Sequence, residues 1–328
     1  MFIHGVGVAF PGRSLSNGDR ASLGVKLNAE QQSIVERCGV CSQGVSLPLE
    51  YIQSTGNLDV LEAWKVATHT PTGLGVEAVR HALSQAGIAI ESVGLIVADT
   101  ATPYQTCPSE AQRIAGEFGL KLPAYDIVGG IGAIPHYLSM FSSWREDRSP
   151  DYALCISTNT PSQHVCFKDD PVGASLFGDA AVAIVLSRKV KSPVQVLDTH
   201  LLPEPKGRSP VVVEGRIQCN ADAMLSKQEL KNFLAAQVER LNSGDFKLSS
   251  STKVIPPQLY AAESADILKG LGLTEDQILS IVNDRGFTLG SSYGLCLAQG
   301  WGALTSGAAV VMMHCGDGVR GSVVLGSC

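Results

Sequence analysis

Apolar residues fall in short blocks along this chain, and each block has either the length of a buried strand or the spacing of a helix. Phe2–Phe10 alternates apolar side chains with glycine and reads as a strand. Val93–Asp99, Tyr152–Ser157 and Ala180–Leu186 are continuous apolar runs of the kind that forms strands buried on both faces. Between them Ala29–Arg37, Thr72–Gly87 and Pro108–Gly119 carry helical patterns, the second ending in a glycine stop. The segment from Tyr125 to His136, Tyr-Asp-Ile-Val-Gly-Gly-Ile-Gly-Ala-Ile-Pro-His, reads as a buried strand that passes through glycines into a helix reaching about Trp144.

The second half repeats this theme after a variable stretch, Lys189–Arg216. Helices over Ser226–Leu241, Ala261–Gly270 and Ser291–Gly302 alternate with strands over Val254–Ile255, Ile281–Asp284, Ala308–His314 and Gly321–Leu325. Gly-Asp-Gly at 316–318 reads as a hairpin turn between the last two strands. The same order in residues 1–188 and 189–328 predicts a duplicated α/β core, with a mainly parallel sheet covered on both faces.

The length of 328 residues suits two such halves. A net charge of −6 without a Lys/Arg cluster excludes a nucleic-acid partner. No apolar run is long enough to span a bilayer, and the start lacks a basic region and a cleavage site, so a soluble, cytoplasmic protein is expected. Among nine cysteines, Cys38 and Cys41 form a CxxC without the second pair that zinc requires. The expectation is no metal, and reduced thiols that behave as small hydrophobes.

The chemistry should lie at the turn after the Tyr125 strand. A helix N-terminus there would lower a thiol's pKa and present it as a nucleophile. The residue at the turn is Ile131, which can neither attack nor ionise.

Several motifs together resemble the ketoacyl synthase III family of the thiolase superfamily. Glu36-Arg-Cys-Gly-Val40 resembles its ERTGI element, and Val97-Ala-Asp-Thr-Ala-Thr-Pro103 its VATxTP strand end. Cys107-Pro-Ser-Glu-Ala-Gln112 resembles the FPSTAC helix start. Leu176-Phe-Gly-Asp-Ala-Ala-Val-Ala-Ile-Val-Leu186 is close to LFGDGAGAVVL, and Cys315-Gly-Asp-Gly-Val-Arg-Gly-Ser322 resembles the glycine-rich GGGFTWGS end. The resemblance implies a thiolase-like fold of five αβαβα layers in two pseudo-symmetric halves, usually a dimer. It implies no cofactor, with acyl-CoA or the phosphopantetheine of an acyl carrier protein as substrate.

In that family a cysteine takes an acyl group from a CoA thioester, and a histidine and an asparagine assist decarboxylation and hold the oxyanion. The motifs FDxAAACxGF, PHQAN and GNTSAAS place these three at Ile131, Pro257 and Phe287 here. No protonation state of Ile, Pro or Phe performs nucleophilic or acid–base work. The flanks of the Glu36 motif also lack the tryptophan and arginines with which the family holds CoA. The resemblance places Cys107, Ile131, Phe287 and Ser292 on the wall of the acyl tunnel or pocket.

Candidate replacements for the lost groups are Cys107, His136 and Asp99. Asp99 either faces the pocket as an acid or base or caps the next helix. A His164–Cys166 pair is weaker, because residues two apart share a face only on a strand. Asp179 reads as structural. Three functions follow. The chain is a catalytically degenerate subunit of fatty-acid, polyketide or related biosynthesis that pairs with an active ketosynthase paralogue. Alternatively it is an unorthodox acyltransferase acting directly or through Cys107, or an acyl-binding or regulatory homodimer.

Overall fold

A computed structural model describes residues 1–204, 209–213 and 215–327. The first half runs β1 (Phe2–Ala9), α1 (Pro71–Ala86), β2 (Val93–Asp99), α2 (Glu110–Glu117), β3 (Ala124–Asp126), α3 (Ala133–Ser142), β4 (Tyr152–Asn159) and β5 (Ala180–Ser187). The second runs β6 (Val194–Pro203), α4 (Lys227–Ser243), β7 (Lys253–Ile255), α5 (Ala261–Gly270), α6 (Ser292–Thr305), β8 (Val310–Gly316) and β9 (Val319–Ser327).

Among the described residues these strands form one sheet in the order β7-β8-β9-β6-β1-β5-β4-β2-β3. Its two halves join where Phe2 and Ile3 of β1 meet Gln195 and Val194 of β6 and the Val196 N–H bonds the Met1 carbonyl. The sheet is mixed, which corrects the mainly parallel expectation. Only β2/β3, β2/β4 and β7/β8 are parallel. Each half ends in a strand pair that reverses direction, β4/β5 and β8/β9, and continuous apolar runs do not distinguish that from parallel pairing.

Alternate side chains leave these strands for different cores, as the period of two requires. Val310 and Met312 of β8 join α3 and α6 in a central layer, whereas Val311 and Met313 join an outer core that includes α4 and α5. Likewise Val182 and Ile184 of β5 face the central layer, and Ala181, Ala183 and Val185 face α1 and α2. Five layers result: helices, half-sheet, α3 with α6, half-sheet, helices. The glycines of β1 serve this packing, since a Cβ on Gly5 would stand 2.5 Å from the Ala82 carbonyl oxygen of α1.

Two further expectations are corrected. Val282–Arg285 is a short helix rather than part of a strand over Ile281–Asp284. Asn283 and Asp284 are exposed there, and the second half makes only a single bridge, Val254 to Ile278, where the first half has β3. The variable stretch Lys189–Arg216, of which 205–208 and 214 lie outside the described residues, contains the ten-residue β6. Most of β6 is half-exposed, so it lacks the solid apolar run that marks the other long strands.

Candidate functional site

The site is built where the glycine turn after β3 enters α3. Strand β3 lies parallel to β2, with Ala98 opposite Asp126, and the Ile127 N–H continues the ladder to the Ala98 carbonyl. The chain then turns through Gly129 and Gly130, which has φ +57°, a left-handed conformation that favours glycine. A single 3-10 turn, Gly130–Gly132, leads into α3, so Ile131 stands just ahead of the helix N-terminus.

Two carboxylates hold this turn from opposite sides. From behind, Asp99 at the end of β2 accepts the Gly129 N–H at 2.8 Å and the Ser157 hydroxyl at 3.1 Å. Asn159 donates to Ser157 Oγ and accepts the Ala101 N–H, and Ser291 donates to the Ser157 carbonyl, so the Asp99 network is internal. Burial pushes the Asp99 carboxyl up to about 7. From the front, Asp317 Oδ2 accepts the Ile131 N–H at 2.7 Å, and its Oδ1 accepts the Ser209 hydroxyl at 2.7 Å. Asp317 and Gly318 are the two central residues of the β8–β9 hairpin, with φ +49° and +76°. Positive φ at both positions is the type I′ geometry that Asp-Gly favours.

A pair of histidines lies beneath the turn. His314 of β8 is fully buried, its Nε2 has no hydrogen-bond partner among the described residues, and burial pushes the ring's pKa down to about 3. Its Nδ1 lies 3.2 Å from the Tyr293 hydroxyl, which itself donates to the Met313 carbonyl. The His136 ring meets that of His314 edge-on at 5.6 Å. Burial also lowers the His136 pKa, partly offset by Asp317.

The sequence-derived positions are distributed as follows. Ile131 and Phe287 belong to one buried apolar core, and Pro257 is buried beside Leu259 and Tyr260 of the same core. Phe287 packs 6.2 Å from the Phe177 ring, and its N–H and carbonyl bond Leu176 and Gly178. A cavity of about 660 Å³ opens beside Ile131. Ala101, Val128, Ile131, Val211 and Leu289 form its apolar wall. His136, Ser209 and Asp317 supply its polar end. Of the expected lining residues only Ile131 lies on this cavity. Phe287 and Ser292 are enclosed in the core, and Cys107 is exposed on the loop before α2.

Other candidates find local roles. His164 faces the Trp64 ring at 6.0 Å, whereas the Cys166 thiol bonds Asp169, so the two do not meet. Asp179 accepts the N–H groups of Ser46 and Ser162, both at 2.8 Å, and the Ser162 hydroxyl at 2.5 Å, which ties two loops together. Arg37 pairs with Glu263 at 2.7 Å and lies over the Tyr260 ring, fastening its helix to α5. Cys38 is buried, and its thiol lies 3.7 Å from the Gln258 carbonyl oxygen, while Cys41 is exposed. Among the described residues no three His, Cys, Asp or Glu side chains are grouped to hold a metal. Nor is any helix of theirs long and apolar enough to cross a membrane.

Sequence reading passed over Asp317, His314, Ser209 and Tyr293. One signal was present: the resembled C-terminal motif is a run of glycines, and an aspartate interrupts it here.

No family model matches the chain. It is similar to the beta-ketoacyl-[acyl-carrier-protein] synthase III of Rhizorhabdus wittichii, with 28% identity over 96% of this chain and 95% of that protein. The synthase of the same name from Sphingopyxis alaskensis is 26% identical over 98% of each. Among solved structures, beta-ketoacyl-[acyl-carrier-protein] synthase III from Thermus thermophilus superposes with a TM-score of 0.79 at 19% identity, covering 100% of this chain and 99% of that one. The tetronic acid condensing enzyme AbyA1 gives 0.75 at 21% identity over 99% of both. In sequence along almost its whole length the chain resembles the beta-ketoacyl-[acyl-carrier-protein] synthase III proteins, and it shares their fold.

Proposed function

We propose that this protein is a non-condensing ketoacyl synthase III-like subunit of fatty-acid or polyketide biosynthesis, acting in the cytoplasm and pairing with an active ketosynthase. The observation that carries this reading is the state of the turn at Ile131. The side chain there is apolar, and the N–H that would face a ligand's oxygen is already bonded to Asp317. An acyl oxyanion forming at that point would meet a carboxylate instead of a free donor. Pro257 and Phe287 supply neither a base nor a donor side chain.

The edge of the sheet supports the pairing. Among the described residues strand β3 bonds β2 on one side only, and Tyr125 and Val128 on and beside it are 58% and 78% exposed. An open, apolar edge of this kind invites pairing with another chain. The Cys107 thiol is also exposed, but no histidine or carboxylate bonds it among the described residues.

Incubation with acetyl-CoA and octanoyl-CoA followed by intact-mass measurement tests the chemistry; no covalent adduct is expected. Co-expression with a ketosynthase bearing an intact Cys-His-Asn set, followed by size-exclusion, tests the pairing. An adduct on Cys107 would point to the acyltransferase reading, and a condensing homodimer would overturn the subunit reading.

A further inference from the structure

We propose that a second cavity, between the helices Asn17–Ser22 and Ala29–Cys38, binds an aliphatic α-amino acid, its carboxylate directed at Arg20 and its ammonium at Glu36. This goes beyond the subunit reading and does not depend on it, because the cavity shares no lining residue with the one beside Ile131.

Arg20 is only 4% exposed, yet the acceptors that hold it are all uncharged. Its guanidinium donates to the side-chain oxygens of Asn17 and Gln43. Longer contacts of 3.4–3.5 Å reach the carbonyls of Leu15, Val40 and Cys41. The carboxylate of neighbouring Asp19 is engaged by the Ser16 N–H and hydroxyl. Buried cations are ordinarily matched by an anion, and this one lines a cavity.

Glu36 lines the same cavity, and its carboxylate accepts the Gln32 Nε2 at 3.0 Å. A cation and an anion that face one volume, each held by uncharged partners, suit a ligand carrying both charges. The volume of about 460 Å³ lies in the small-molecule range of about 300–1,000 Å³. Val25, Leu27, Val35 and Val40 make much of the remaining wall aliphatic, which suits an alkyl side chain. At 3.6 residues per turn Gln32, Val35 and Glu36 share one helix face. Arg37 leaves the opposite face, where it pairs with Glu263.

The test titrates the full-length protein calorimetrically at neutral pH with L-norleucine, hexanoate and 1-aminopentane. The three share an alkyl chain and carry both charges, the negative one alone and the positive one alone. Norleucine should bind saturably, and each of the others at least about tenfold more weakly. Bound norleucine should also slow alkylation by iodoacetamide of Cys41, an exposed thiol on the cavity wall, while leaving the exposed Cys107 unaffected. Mass spectrometry of the two peptides reads this. Arg20 is too enmeshed in the fold for a clean variant, so Glu36→Gln, at an exposed side chain, serves instead. It should close the gap between norleucine and hexanoate. No saturable binding of norleucine, equal affinity for norleucine and hexanoate, an unprotected Cys41, or a gap that survives Glu36→Gln would each overturn the proposal.

Discussion

Gly132 and the His314 ring are in such close contact that a Cβ on the glycine would stand 2.5 Å from Nε2. Real side chains do not approach this closely, and the ring is enclosed by Tyr293 and His136. Gly132→Ala should therefore lower stability by about 1–3 kcal/mol. Combining it with His314→Ala should recover part of that loss. Urea denaturation of the four proteins in the cycle measures the coupling. Costs that add to within about 0.5 kcal/mol would show that crowding against His314 is not the cause.

Asp99 and His314 make opposite contributions to the pH dependence of stability. Unfolded, Asp99 ionises at about pH 3.9; folded, it keeps its proton to about 7. The folded state thus binds the extra proton in that window, and stability falls as pH rises through it. Unfolded His314 takes a proton below about pH 6.5, whereas the folded ring stays neutral to about 3. Here the unfolded state binds the extra proton, and stability falls as pH falls.

Between about pH 4 and 6.5 the two effects cancel, so single variants should unmask them. The stability of Asp99→Asn relative to wild type should rise from about pH 4 to 7, and that of His314→Phe should rise as pH drops from about 6.5 to 3. Each slope is at most about 1.4 kcal/mol per pH unit. Taking differences from wild type isolates each group, since burial raises Glu110 and Asp179 as well. Chemical denaturation at several pH values reads both, and a flat difference for either variant would remove that group from the account.

Most of the architecture was legible because strands buried on both faces are written as solid apolar runs, and the helices between them carry caps. Ser109 and Ser226 close capping boxes at the starts of α2 and α4, and Gly87 ends α1 in the left-handed conformation. Strand β6 was not legible, because its side chains are largely half-exposed and leave no periodic signature. Strand direction was not legible either, since Ala180–Ser187 is as apolar in an antiparallel pairing as it would be in a parallel one. At the site, the position of Ile131 could be read from the strand–glycine–helix pattern. Its bond to Asp317, 186 residues away, could not, because no local rule brings a hairpin turn onto a helix N-terminus.

The proposed pairing edge gives a direct oligomer prediction. Val128→Glu places a charge on the most exposed apolar residue near β3 without disturbing the core. Light scattering of the protein co-expressed with the active ketosynthase should give a mixed-dimer mass for the wild type, whereas the variant should not join that ketosynthase. A wild type that does not join it, or a variant that still does, would move the interface elsewhere.

Placing a thiol at the Ile131 turn should not by itself create a reactive nucleophile. Ile131→Cys would place sulfur ahead of α3, where the helix dipole ordinarily stabilises a thiolate. The Asp317 carboxylate bonded to the same residue's N–H counters that effect, because a nearby negative charge raises a thiol's pKa. The smaller side chain also leaves a void in the apolar core, at a cost of about 1–2 kcal/mol. Ile131→Cys should consequently take up no acyl group from acyl-CoA at neutral pH. Alkylation of the introduced thiol by iodoacetamide, followed by mass spectrometry of the peptide that carries the substitution, should accelerate only at alkaline pH. Adding Asp317→Asn removes the charge while keeping the turn, and the alkylation profile should move to lower pH. If the two profiles coincide, Asp317 does not govern the electrostatics of this turn.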